Sequence, residues 1–264
     1  MAERVVVVGA GITGLACAEA LQDAADVTVV DRVPVPGGVH GWEAPDTTDL
    51  VERCGARLVL GETAIRWDGR ELVVIGQDGA RRLPAAALVI ATGTRPLGRA
   101  ELGITGPRPA GVVAATVATH LAENGLLVGR RPVVVGGGDW ARRSAHHLLE
   151  AGAELVTVVP HGAVAMELRR RAGVRVLQDA GVTAVAGDVR VTGVELASGE
   201  EVACDALVLA HGTVPLRNVD GAVWDGERSV YAQPLSDPAS VDGARAAGAE
   251  AAEAVRSLLG QEDG

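Results

Sequence analysis

Two unbroken apolar runs set the frame of this chain. Val5–Val8 and Val133–Val135 lack the in–out alternation of a half-exposed strand and read as strands buried on both faces, the pattern of a parallel sheet. Each run ends in glycines, VVVVGAGITG at 5–14 and VVVGGGDWA at 133–141, and each leads into a stretch of helical periodicity. In the first, Leu15, Ala18 and Leu21 fall on one helical face; the second continues as ARRSAHHLLEAG. A further strand closes each repeat, DVTVVD ending at Asp31 and LVTVVP ending at Pro160. Strand, glycine loop, helix and strand, twice over, predict an α/β fold with two Rossmann-like lobes, each of three layers.

The glycine spacing gives each loop a physical task. Gly9 permits the tight turn, Gly11 lets backbone N–H groups approach a pyrophosphate, and Gly14 lets the helix pack close to the strand. The helix N-terminus then offers unpaired N–H groups and a favourable dipole to negative charge. Asp31, with Arg32 beside it, stands about 20 residues past the glycines, where a carboxylate can take the hydroxyls of an adenosine ribose. In the second loop Gly136 and Gly138 hold the first two positions and Ala141 the third, a replacement that the fingerprint accepts. No acid follows there, because the strand ends at Pro160 and His161. Arg169–Arg171 either meet a 2′-phosphate or form a solvated helix face. His146 and His147 lie in an Ala/Leu-rich helix and read as structural.

Composition narrows the function classes. The chain has 264 residues, 48% of them hydrophobic but only 2% aromatic, so Val, Leu, Ile and Ala must build the core. A formal charge of −10 argues against nucleic acid as a partner, since phosphate backbones are bound by clustered cations. Cys17, Cys54 and Cys204 stand far apart, offering neither a C-x-x-C dithiol nor a metal-ligand spacing, and read as buried small thiols; no metal is expected. No basic-then-apolar leader or membrane-length apolar run is present, so a cytoplasmic protein is expected.

VVDRVPVPGGVHGW (29–42) and LVIATGTRP (88–96) resemble the flavin-binding half of the two-dinucleotide-fold flavoproteins, the thioredoxin-reductase-like family. The resemblance implies FAD at the first loop, held by Gly9, Gly11, Gly14, Asp31, Arg32, Gly38, Thr92 and Gly93. It also implies an inserted lobe taking NAD(P)H at Gly136, Gly138 and Ala141. The lobes it implies are 1–108 with 216–264 for FAD and 109–215 for NAD(P). His40 and Trp42 follow the P-G-G that leads to the flavin ring in that family, which makes His40 a candidate acid/base beside the plainer reading that both pack.

Where the family carries its redox cysteines, an ungapped match places Ala115 and Ala118, so disulfide exchange by the family route is not expected. Residues 104–139 look similar to the flavoprotein subunits of opine and amine dehydrogenases and hydrogen cyanide synthase, which work beside a second flavoprotein subunit on a C–N bond. The family's closing G-D pair falls on Pro234 and Leu235, with Asp237 or Asp242 as substitutes if the loop is rebuilt. Three readings therefore stand. One is an FAD-dependent oxidoreductase acting on a small-molecule substrate or pyridine nucleotide, alone, as a homo-oligomer or beside a second subunit. The others are a non-catalytic or scaffolding subunit, and an adenine-nucleotide-binding protein.

Overall fold

The structure is a computed structural model and describes residues 2–161, 166–216, 228–232 and 240–260. Its contacts divide the chain into two compact units, residues 1–94 with 215–264 and residues 95–214. The first contains β1 (Glu3–Val8), α1 (Ile12–Leu21), β2 (Ala25–Asp31), α2 (Pro45–Arg53) and β3 (Arg57–Leu60). It continues through β4 (Thr63–Trp67), β5 (Glu71–Gly76), β6 (Gly79–Pro84) and β7 (Ala87–Ile90) to the short β8 (Thr94–Arg95), where the chain leaves it. The second comprises β9 (Val112–Ala114), α3 (Ala115–Glu123), β10 (Val133–Val135), α4 (Asp139–Glu150), β11 (Val156–Val159), α5 (Met166–Arg170) and β12 (Val174–Val176). Strands β13 (Val182–Gly187), β14 (Val191–Leu196), β15 (Glu201–Ala203) and β16 (Leu207–Leu209) follow, and β17 (Val214–Pro215) leads back to β18 (Ser229–Tyr231) and α6 (Val241–Gly260).

Each unit is built on a five-stranded parallel sheet, ordered β18-β7-β1-β2-β3 in one and β12-β11-β10-β16-β9 in the other. Read from the glycine-bearing strand outward, the two orders are the same. In each, a three-stranded antiparallel sheet, β4–β6 or β13–β15, is inserted before the fourth strand. They differ in where the fifth strand and its helix come from: β18 and α6 end the first unit, whereas β9 and α3 begin the second.

This layering explains the unbroken valines. Val5 and Val7 face a core built with α1, α2 and α6, while Val6 and Val8 face one built with β4 and β5. Val134 likewise packs with α3 and α4, and Val133 and Val135 pack with β13–β15. A central strand covered on both faces must be apolar at every position.

Helix α1 departs from the single-face expectation. Besides Leu15, Ala18 and Leu21, it buries Ile12, Thr13, Gly14, Ala16 and Cys17. The cause is α6, which lies so close that a Cβ on Gly248 would stand 2.4 Å from the Thr13 carbonyl oxygen. A helix covered on several sides loses its polar stripe. The expected first boundary, after residue 108, also differs from the packing. Segment 95–108 goes with the second unit, where the Thr105 N–H donates to the Thr183 carbonyl (2.8 Å) and Ile104 is buried among Val182, Val185 and Val194. Among the described residues, no helix is long and apolar enough to cross a membrane.

Candidate functional site

Both glycine loops leave the C-terminal end of a central strand, the edge of an open α/β sheet where ligands bind. The first and third positions are fixed by packing in the first unit. Gly9 has φ +115°, and a Cβ there would stand 2.2 Å from the Ala91 carbonyl oxygen; Gly136 has φ +134° and the same relation to Ala210, at 2.3 Å. A Cβ on Gly14 would meet the Gly9 oxygen at 1.9 Å. In the second unit that position carries Ala141, which is fully buried, so the methyl group has been given room there.

The middle glycines are different. Gly11 and Gly138 have φ −78° and −88°, which any residue adopts, and a Cβ on either would meet no atom within 4 Å. Neither conformation nor protein packing requires glycine at these two positions. Each is the N-cap of its helix and, among the described residues, neither helix start is capped by a side chain. Open space beside uncapped backbone N–H groups fits a pyrophosphate. The first helix has no acid in its first turn, whereas α4 carries Asp139 there, with Arg142 Nε at 3.1 Å from its carboxylate.

Asp31 braces the first loop. Its Oδ2 accepts the Ala10 N–H (2.7 Å) and its Oδ1 accepts the Val33 N–H (2.8 Å), which ties the end of β2 to the glycine turn. Each oxygen retains a lone pair for a ribose hydroxyl. The P-G-G segment lies alongside: the Gly37 N–H donates to the Ala10 carbonyl (2.7 Å), and a Cβ on Gly38 would sit 3.4 Å from the Gly11 Cα. His40 ends a single 3-10 turn, Gly38–His40, and is half-buried, while Arg32 and Trp42 are exposed. Thr92 donates its hydroxyl to the Leu216 carbonyl, and Gly93 accepts the Leu216 N–H (2.9 Å), so both pin the returning chain beside β7.

The remaining candidates separate. Ala115 and Ala118 are fully buried against α4, so the positions matched to redox cysteines serve packing. Arg169 donates to the Gln178 side chain, and Arg170 and Arg171 are exposed. His146 lies 3.2 Å from Glu150, and His147 lies 3.4 Å from Glu123. Asp242 is exposed in the first turn of α6; Pro234, Leu235 and Asp237 fall outside the described residues.

One pairing is almost silent in the sequence. His161, after β11, stacks on His211, after β16, with ring centroids 4.8 Å apart and planes inclined by 30°. The two strands flank β10, so the rings meet beside the second glycine loop. Burial, and to a lesser degree the neighbouring His161, hold His211 below the ordinary histidine value. The only hint in the sequence was AHG at 210–212, standing where the first unit has ATG at 91–93.

The family model for pyridine nucleotide-disulphide oxidoreductases matches residues 38–223, and that for an NAD(P)-binding Rossmann-like domain matches residues 7–67. Solved structures share the fold. A pyridine nucleotide-disulfide family oxidoreductase from Enterococcus faecalis V583 superposes with a TM-score of 0.73 at 16% identity, over 97% of this chain and 69% of its own. Lactococcus lactis thioredoxin reductase gives 0.70 at 19% identity, over 98% and 99%. L-proline dehydrogenase from P. horikoshii gives 0.65 at 17% identity, over 98% of this chain and 56% of its own. No curated protein matches the chain in sequence.

Proposed function

We propose that this chain, which belongs to the pyridine nucleotide-disulphide oxidoreductase family, is an FAD-dependent oxidoreductase that takes FAD at its first glycine loop and NAD(P)H at its second. The observation that carries the reading is the pair Gly11 and Gly138, two N-cap glycines that neither backbone strain nor packing calls for and whose missing side chains leave open space. A nucleotide pyrophosphate supplies the reason for both.

In this reading unit 1–94 with 215–264 is the FAD lobe and unit 95–214 the NAD(P) lobe. Backbone N–H groups at Gly11 and the start of α1 hold the FAD pyrophosphate, Asp31 accepts a ribose hydroxyl, and Gly9 and Gly14 let strand and helix approach. Gly38, Thr92 and Gly93 shape the path beyond the loop, and Arg32 lies at the exposed ribose end. Gly136, Gly138 and Ala141 repeat the arrangement for the pyridine nucleotide. FAD, when bound, supplies the two-electron chemistry that no side chain of the protein can. In this reading His40, half-buried beside the P-G-G, is the candidate to hold or move a proton, the alternative being that it packs.

The chemistry proposed does not include disulfide exchange by the family route. Buried alanines at 115 and 118 offer no thiolate, and the family step needs one. The proposed transfer runs between the pyridine nucleotide or a small C–N substrate and the flavin; the resemblance of residues 104–139 to amine-dehydrogenase subunits supports a second flavoprotein subunit as partner, with a homo-oligomer as the alternative. Release and identification of nucleotide from the purified, denatured protein tests the reading. FAD is expected; a protein that carries none and takes up none when FAD is added would remove it in favour of a non-catalytic subunit.

A further inference from the structure

The second nucleotide site differs from the first in what stands at the ends of its neighbouring strands. In the first unit the register pairs Val8 with Val30, and Asp31 follows; in the second it pairs Val135 with Val159, and Pro160 follows. The carboxylate is gone, and the stacked imidazoles of His161 and His211 stand beside the loop in its stead. Both are tied to the loop's first glycine. The Gly136 N–H donates to the Val159 carbonyl (2.9 Å), two residues before His161, and a Cβ on Gly136 would lie 3.0 Å from the His211 backbone nitrogen.

We infer that the His161–His211 pair makes nucleotide binding at the second glycine loop proton-linked: when a phosphate-bearing pyridine nucleotide binds, the pair takes up one proton from solvent and meets the phosphate as a cation. The inference rests on the proposed pyridine-nucleotide site.

Three features support it. First, two imidazoles stacked at 4.8 Å repel each other when both are charged, and His211 is held below the ordinary histidine value by burial and then by its neighbour His161. Second, the ligand brings negative charge to the open space at Gly138, and an anion beside the pair favours one protonated ring. Third, the charged groups on the surrounding elements are largely engaged with one another. Asp139 and Arg142 pair at 3.1 Å on α4, which also carries Arg143, and Arg95 pairs with Glu101 at 2.8 Å in the segment whose Leu97 N–H donates to the His211 carbonyl. A metal ion shared by the pair is a poorer use of it, since lone pairs lie in the ring planes and near-parallel rings do not aim them at one point.

The sign follows from linkage. The proton affinity of His211 is lowered in the free protein, so where a bound phosphate raises it binding consumes a proton and weakens as pH rises, by up to about tenfold per pH unit. The test is calorimetric titration of the full chain with NAD+ and with NADP+, oxidised forms that leave the flavin unreduced, across about pH 5.5–8.5 and in buffers of different ionisation enthalpy. Wild type is expected to show a Kd that rises with pH and uptake of close to one proton, while His161→Gln and His211→Gln show flat profiles with folded-state circular dichroism unchanged. A slope with both nucleotides assigns the contact to the pyrophosphate, and a slope with NADP+ alone assigns it to the 2′-phosphate. Wild-type binding with a flat profile, or variants that keep the wild-type slope, would overturn the inference. Failure of folded wild-type protein to bind either nucleotide at any pH would instead overturn the proposed site itself.

Discussion

At the scale of single residues, the glycines of one loop have separable duties, and substitutions distinguish them. Gly9→Ala forces a Cβ against the Ala91 carbonyl at a φ of +115° and is expected to lower stability by at least about 2 kcal/mol in denaturant unfolding. Gly11→Ala meets nothing within 4 Å and has ordinary backbone angles, so its stability is expected to stay within about 0.5 kcal/mol of wild type. Its FAD affinity, measured by flavin fluorescence, should fall by about tenfold or more, near 1.4 kcal/mol. Equal loss of fold in both variants would show that Gly11 is structural. The cysteines give a second expectation. Burial pushes the Cys17 thiol up to about 12 and the Cys204 thiol to about 11, and Cys54 is buried with its thiol directed at the Val51 carbonyl (3.5 Å). Native protein should therefore leave all three unmodified by a thiol reagent at neutral pH, with labelling only on unfolding. Rapid labelling in the native state would contradict the buried placement. The fingerprint spacing made Gly9, Gly11, Gly14 and Asp31 legible in the sequence. The bracing of Ala10 and Val33 by Asp31 was not, because a carboxylate that serves the fold and one that serves a ribose look alike in one dimension.

At the scale of elements, the apolar runs disclosed the central strands because each lies between two cores. The antiparallel sheets β4–β6 and β13–β15 left a weaker trace. Arg81 and Arg82 make β6 read as a polar segment, yet they extend outward to Glu62 and Glu71 while Leu72 and Val74 of β5 carry the burial. Segment 95–108 packs with the second unit for a reason equally hidden in the sequence, since its hydrogen bonds to Thr183 and Val185 join positions far apart along the chain. Its first turn is pH-sensitive. The Glu101 carboxyl is held down to about 2, chiefly by the Arg95 guanidinium and then by the Gly98 N–H. Its folded value lies below the ordinary 4.5, so these contacts are complete above that range and disappear as pH falls toward 2. The Gly98 amide should lose hydrogen-exchange protection over that window, and protection that persists in Glu101→Ala would assign it elsewhere. Helices α1 and α6 pack closely at Gly248. Gly248→Val is expected to cost about 2–4 kcal/mol, because its Cβ would meet the Thr13 oxygen at 2.4 Å and the Cys17 nitrogen at 2.9 Å. A variant as stable as wild type would show that α6 can shift at little cost.

At the scale of the whole molecule, the chain uses one layout twice, with its fifth strand and helix supplied from the end in one unit and from the beginning in the other. The repeated fingerprint made the doubling legible, and the family resemblance implied that 216–264 returns to the first lobe; the supply of the second sheet's fifth strand from its own beginning left no trace, because Val112–Ala114 is a three-residue strand without a motif. The same distance along the chain hid the His161–His211 stack, whose partners meet only once β11 and β16 flank β10. Two glycine cradles in one chain amount to a claim about two nucleotides in one reaction, and anaerobic mixing of the FAD-loaded protein with NADH and with NADPH tests it most directly. An oxidised-flavin absorption band that bleaches with at least one of them is expected, with the reduced protein unable to pass its electrons to a disulfide. A flavin band that neither nucleotide bleaches, or a folded protein that holds no flavin at all, would contradict that claim.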